Sequence, residues 1–138
     1  MPANISGNFP LHPSAQLQVV LRVFDIICAP EIDINALAEL IAPEFECRIA
    51  PNSVKKPVAK RDAWLEFIEG IRTRLFTTLK VSIHQLHFHE IIEGQGSVIL
   101  HGSSDGVSVT GQPYKNEYIF ILHLKDDGGR YLLTQGMG

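Results

Sequence analysis

Apolar residues recur at helical spacing along the first half of the chain and alternate with polar ones from about Lys80 onward. Leu17, Val20, Leu21, Phe24, Ile27 and Cys28 form a stripe, widened by Val19, Val23 and Ile26, which predicts a helix capped by Ser14 and ended by Pro30. Asp33 caps a short second helix over Ile34–Ile41, and Pro43 forbids its extension. Phe45-Glu46-Cys47-Arg48-Ile49 alternates as a half-buried strand does, and Pro51–Pro57 reads as a polar loop. A third helix runs from near Lys60 to about Phe76, with Trp64, Ile68, Ile71 and Leu75 as its main stripe and Leu65 and Phe67 broadening it. Four strands follow, Lys80–Glu93, Ser97–Val109, Tyr114–Lys125 and Arg130–Gln135, separated by glycine-containing turns. Helices first and a strand meander last predict an α+β fold: helices packed on one face of a curved antiparallel sheet, a cone with a cavity at its mouth.

Composition narrows the picture without redirecting it. A chain of 138 residues is expected to be a single domain over 1–138, with residues 1–12 a flexible N-terminal extension. With 45% hydrophobic residues, 20% charged and a net charge of −3, the chain offers no basic stripe for nucleic acid. Its apolar runs are broken by Arg22, Asp25, Asp33 and Glu39, so no membrane span is expected, and Met1–His12 lacks the pattern of a secretory signal. A cytosolic location is the default. Cys28 and Cys47 read as reduced core residues, and Asn4-Ile5-Ser6 matches a glycosylation acceptor that means little without secretion.

The order of elements, with His101-Gly102-Ser103-Ser104-Asp105-Gly106 followed by Gly111-Gln112-Pro113-Tyr114-Lys115-Asn116-Glu117-Tyr118, resembles the SnoaL-like branch of the NTF2-like superfamily. Within it, the Gly-x-x-Tyr-x-Asn-Glu-Tyr stretch looks most like small fungal isomerases of meroterpenoid (polyketide-terpenoid) pathways. The resemblance implies an NTF2-like cone, chemistry on polycyclic intermediates without a cofactor, and a homodimer formed through the outer face of the sheet. Relatives often end the last strand on an acidic pair. This chain has no carboxylate after Asp127, so that role is not carried over.

Strand alternation puts Lys115, Glu117, Ile119, Ile121 and His123 on one face and Tyr114, Asn116, Tyr118, Phe120 and Leu122 on the other. If the first face lines the cavity, Glu117 is desolvated, its pKa rises, and it can shuttle protons near neutral pH. The alternative is a surface ion pair with Lys115 or Arg48. Asn116 and Tyr118 would then serve the dimer contact, whereas a bulge after Gly111 would invert the assignment and turn them toward substrate. On the preceding strand His101, Ser103 and Asp105 share a face, so His101 can pair with Asp105 as acid and base, or Asp105-Gly106 can be an exposed turn.

Arg48 could hold a substrate oxygen from inside the cone or lie solvated beside Glu46. Trp64, Phe67 and Phe88 could wall a pocket for a terpenoid or polyketide, or simply be core. His84-x-x-His87-x-His89 invites a metal reading, but no third ligand stands at a diagnostic spacing, so no metal is expected. Neither Ser103 nor Ser104 lies in a nucleophile elbow, and no nucleotide fingerprint is present.

These residues point to a cofactor-independent acid/base isomerase acting on a hydrophobic small molecule. Glu117 and His101 transfer protons in that reading, partnered by His123 or Asp105, while Arg48, Trp64, Tyr118, Asn116 and Phe88 contact substrate. Cyclisation, dehydration or lactone hydrolysis would share its first step. The other reading is a non-catalytic module that binds a lipid-like ligand or mediates dimerisation.

Overall fold

The computed structural model describes residues 4–48, 58–77, 81–108, 111 and 113–137. Helix α1, Ala15–Cys28, starts where Ser14 Oγ accepts the Leu17 N–H at 3.2 Å, and it ends before Pro30. Replacing Ser14 with alanine leaves that amide unpaired and is expected to cost about 1 kcal/mol, measured by urea denaturation. Asp33 caps α2, Ile34–Glu39, through the Ala36 N–H at 3.1 Å. This helix is shorter than expected because Ile41 already belongs to β2, Ile41–Arg48. Pro43 lies inside that strand, within the stretch between Ile41 and Glu46 where the register shifts, and a residue without an N–H is tolerated there. A two-residue strand, β3 (Ala59–Lys60), leads into α3, Arg61–Thr77. The Arg61 guanidinium ties the start of α3 to α2 through the Ala38 carbonyl at 2.9 Å.

The meander consists of β4 (Val81–Gly94), β5 (Ser97–Ser108), β6 (Pro113–Asp127) and β7 (Arg130–Met137), within a few residues of the expected bounds. The predicted loop at Pro51–Pro57 lies outside the described residues, as do the side chains of Ile71 and Leu75. Among the described residues seven strands form one sheet in the order β1-β4-β5-β6-β7-β2-β3. The expectation of a purely antiparallel sheet is corrected at both flanks: β2 runs parallel to β7, and β1 runs parallel to β4. These pairings join residues far apart in sequence, which no local pattern announces.

Strand β1, Ile5–Gly7, occupies part of the stretch expected to be a flexible extension. It is held by the Asn4 N–H and Asn4 Nδ2 on Asp25 Oδ1, at 2.9 and 3.1 Å, and by burial of Ile5. Gly7 has φ of 145°, and a Cβ there would lie 2.3 Å from the Phe88 carbonyl oxygen, so only glycine lets β1 approach β4 so closely.

Helices and sheet meet in one core. Leu17, Val20 and Phe24 of α1 and Leu37 of α2 pack with Phe88, Val98, Leu100, Leu122, Leu124 and Leu133 of the sheet. Phe24 stands edge-on to Phe88 at 5.4 Å and tilted to Phe120 at 4.9 Å, while Phe45 meets Trp64 at 4.9 Å. In the sheet register Val98 faces Leu122, Leu100 faces Phe120, Gly102 faces Tyr118 and Ser104 faces Asn116, and these pairs share the face the helices cover. His101, Ser103, Glu117, Ile119, Ile121 and His123 therefore occupy the opposite face.

Candidate functional site

Along the covered face of β6 exposure rises step by step. Leu122 is buried, Phe120 and Tyr118 are half-buried, and Asn116 is exposed. This gradient marks the way from the closed interior to its mouth. Between exposed Asn116 and half-buried Phe120 the Tyr118 hydroxyl meets that of Ser104, 3.1 Å away. Ser104 is only 3% exposed, and the Tyr118 ring stacks on Phe120 at 5.4 Å with an interplanar angle of 16°. Stacking fixes the phenol plane and the serine fixes its oxygen, so a hydroxyl pair stands at the edge of the apolar core. Asn116 follows one inward-facing position nearer the mouth. On β2, Cys47 is half-buried opposite Gly136, and burial pushes its thiol pKa up, so it is not primed as a thiolate nucleophile.

The expected proton-transfer pair does form, but outside. His101 Nε2 lies 2.5 Å from Glu117 Oε1 on the face turned away from the helices, with the Glu117 side chain 72% exposed and that of His101 36% exposed. The desolvation that the acid/base reading required of Glu117 is absent there. Of the two face assignments left open for β6, the structure has the one with Lys115–His123 outside and Asn116 and Tyr118 on the face the helices cover, Asn116 at its exposed end.

His123 and Arg48 share the outer face as well, lining a cleft of about 30 Å³ with Glu46, Ile121 and Gln135. Arg48 therefore does not reach into the cone. Its neighbour Glu46 pairs with Lys60, whose ammonium holds that carboxyl below the usual range. The Asp105 backbone sits opposite Lys115 in the register, but its side chain lies outside the described residues, as does that of His84.

Of the expected aromatic wall, Phe88 is fully buried and Trp64 nearly so. Phe88 is a core residue. Among the described residues no group of three or more His, Cys, Asp or Glu is arranged to hold a metal ion. No described helix is long and apolar enough to cross a membrane. Sequence reasoning missed Ser104 as Tyr118's partner, although its inward position between Gly102 and Gly106 marked a place where a polar group would be conspicuous.

Solved structures with the same architecture include a pinacolase, candidate polyketide cyclases and a protein of unknown function. BvnE pinacolase from Penicillium brevicompactum matches with a TM-score of 0.59 at 16% identity, over 90% of this chain and 86% of its own. TerC, co-crystallised with polyporic acid, matches with a TM-score of 0.65 at 17% identity, over 90% of this chain and 89% of its own. An NTF2-like protein from Anabaena variabilis matches with a TM-score of 0.63 at 15% identity, over 94% of this chain and 92% of its own. At such identities the likeness shows the fold, which is NTF2-like. No curated protein sequence matches the chain. The family model for the SnoaL-like domain matches residues 20–131, from within the first helix to the last strand, and the chain belongs to that family.

Proposed function

We propose that this protein is a cofactor-independent acid/base isomerase of secondary metabolism, and that its substrate is a polycyclic meroterpenoid or polyketide intermediate bound at the mouth of the cone. The observation that carries this reading is the Ser104–Tyr118 hydroxyl pair, 3.1 Å apart, at the rim of an otherwise apolar interior. With the Ser104 hydroxyl donating to the phenol oxygen, the phenol proton is available to a carbonyl or ether oxygen of the substrate. The phenol gives that proton as charge builds on the substrate oxygen, and the phenolate left behind takes one from a neighbouring carbon or hydroxyl. The net change is an isomerisation with no redox step. Asn116 orients a second oxygen, and the apolar walls hold the ring system in one pose. Glu117 and His101, exposed on the other face, take no part in this step.

Two relatives by fold lend support: one is a pinacolase and another was crystallised with polyporic acid. The test is incubation of the purified protein with extracts of fungi that make such compounds, followed by mass spectrometry of both the medium and the protein-bound fraction. Conversion of one compound by the wild type, lost in Tyr118→Phe, supports the proposal. Retention of a compound that is never changed would favour the non-catalytic binding module instead.

The same reading includes a homodimer formed through the outer sheet face. Ile92, Ile99, Ile119 and Met137 are 52%, 37%, 61% and 36% exposed, and all lie there. Large apolar side chains gathered on one face of a sheet are a reason for a second copy to cover it.

A further inference from the structure

The outer face also carries a row of imidazoles that the proposed chemistry leaves unused. Ser6 Oγ lies 2.8 Å from His87 Nδ1, the His87 and His89 rings are 4.9 Å apart, and the His89 and His101 rings are 5.0 Å apart. His89 Nε2 is 2.8 Å from Ser103 Oγ, and His101 ends the row on Glu117 at 2.5 Å. The row crosses β1, β4, β5 and β6. His87 and His89 share a face by strand alternation, and the β4–β5 register shift between Phe88 and Glu90 leaves both His89 and Glu90 against His101.

Next to the histidines runs the apolar stripe. Ile92 pairs with Ile99, Ile99 with Ile121, and Ile121 with Met137, while Ile119 sits directly across from His101. Any body that covers the isoleucines must cover the histidines too.

We propose that this face is a pH-governed self-association surface: two copies join through the isoleucine stripe while the histidine row is neutral, and separate when it becomes charged. The proposal rests on the dimer reading above and adds its control. The size of the face suits a second copy. Five strands about 4.8 Å apart, each contributing about seven residues, span roughly 500–600 Å², and side-chain relief brings the accessible area near the ~800 Å² per partner of a stable interface.

The charges around the row decide the direction of the effect. Facing it are Ser6 from β1, Glu90 from β4 directly opposite His101, Ser103 from β5, and Lys115, Glu117 and His123 from β6. Among the described residues Gln135 of β7 and Glu46 and Arg48 of β2 lie farther along the face, with Glu46 engaged by Lys60. Among the described residues His101 has the Glu117 carboxylate to balance a positive charge, while the His87 and His89 rings are hydrogen-bonded to the Ser6 and Ser103 hydroxyls. Histidine is the side chain that gains charge between pH 8 and 5. Two adjacent cations repel one another, and both would have to be desolvated for the faces to close. Association therefore weakens as pH falls, by about tenfold per unit for each histidine that must stay neutral.

Sedimentation velocity of the full chain at pH 7.5 and 5.5, with circular dichroism at both, tests this. The wild type is expected to dissociate at least a hundredfold more readily at pH 5.5 with its circular dichroism unchanged. A His87→Gln/His89→Gln double variant is expected to stay dimeric at both values, and Ile119→Glu to be monomeric at pH 7.5. A wild type that is monomeric at both values overturns the dimer reading itself. A wild type equally dimeric at both leaves the dimer standing and overturns the pH control. A double variant that keeps the wild-type pH response, or loss of fold at pH 5.5, overturns the assignment to these histidines.

Discussion

Replacing Tyr118 with phenylalanine is expected to slow turnover by about a hundredfold to ten-thousandfold, the range for loss of a positioned acid/base group. The substitution removes one oxygen and leaves the ring stacked on Phe120, so the local packing keeps its shape. Substrate binding should change little, and the loss should fall on kcat with KM nearly constant. Ser104→Ala, which leaves the phenol in place but removes the hydroxyl 3.1 Å from it, should slow the reaction less. Steady-state kinetics on the converted compound separates these cases. Equal rates for wild type and Tyr118→Phe would exclude the phenol from proton transfer.

Phe88→Ala is expected to destabilise the fold by about 3–5 kcal/mol, lowering the thermal midpoint by about 10 °C or more in a scanning melt. Phe88 has no exposed surface and lies where β1, α1 and β5 converge. It touches Phe24 edge-on at 5.4 Å and Phe9 at 6.2 Å, and its ring edge fills the space left by the missing side chain of Gly102, 3.1 Å from where a Cβ would stand. No single neighbour can move into the void, since each is held by a different element. Phe67→Ala makes a useful contrast: that ring is 49% exposed on α3, and its removal should cost well under half as much. Comparable losses for the two variants would contradict the placement of the core.

Helices α1 and α3 and the four meander strands are legible in the chain because their signals are local: the Ser14 cap, the stripe from Leu17 to Ile26, and the glycine turns after Gly94 and Asp127. The flanks of the sheet are not, because three residues of β1 and two of β3 carry too little pattern to outweigh a loop. The site suffered from a different difficulty. Alternation along β6 separates two sets of side chains correctly, but each set contains large apolar residues, Phe120 and Leu122 on one side and Ile119 and Ile121 on the other. A strand that is apolar on both faces does not say which one the helices will cover. The deciding information lay on β5, where Val98, Leu100 and Gly102 fall opposite the Leu122–Tyr118 set, while the other face holds His101 and Ser103. Reading strands as pairs would have moved the candidate chemistry from Glu117 to Tyr118.

The parallel pairing of β2 with β7 has a bearing on how the chain reaches its native state. Ile41 must wait for Leu133, and Cys47 for Gly136, before half of this strand's backbone partners exist. Until then Phe45 and the ring of Trp64 have helices on one side but an unfinished wall on the other. Closure therefore depends on one of the most remote encounters in the molecule, a circumstance that favours slow, late completion. During synthesis the nascent polypeptide would hold its helical layer and early hairpins as an open shell, a stage at which chaperone contact and aggregation compete for the same exposed strand.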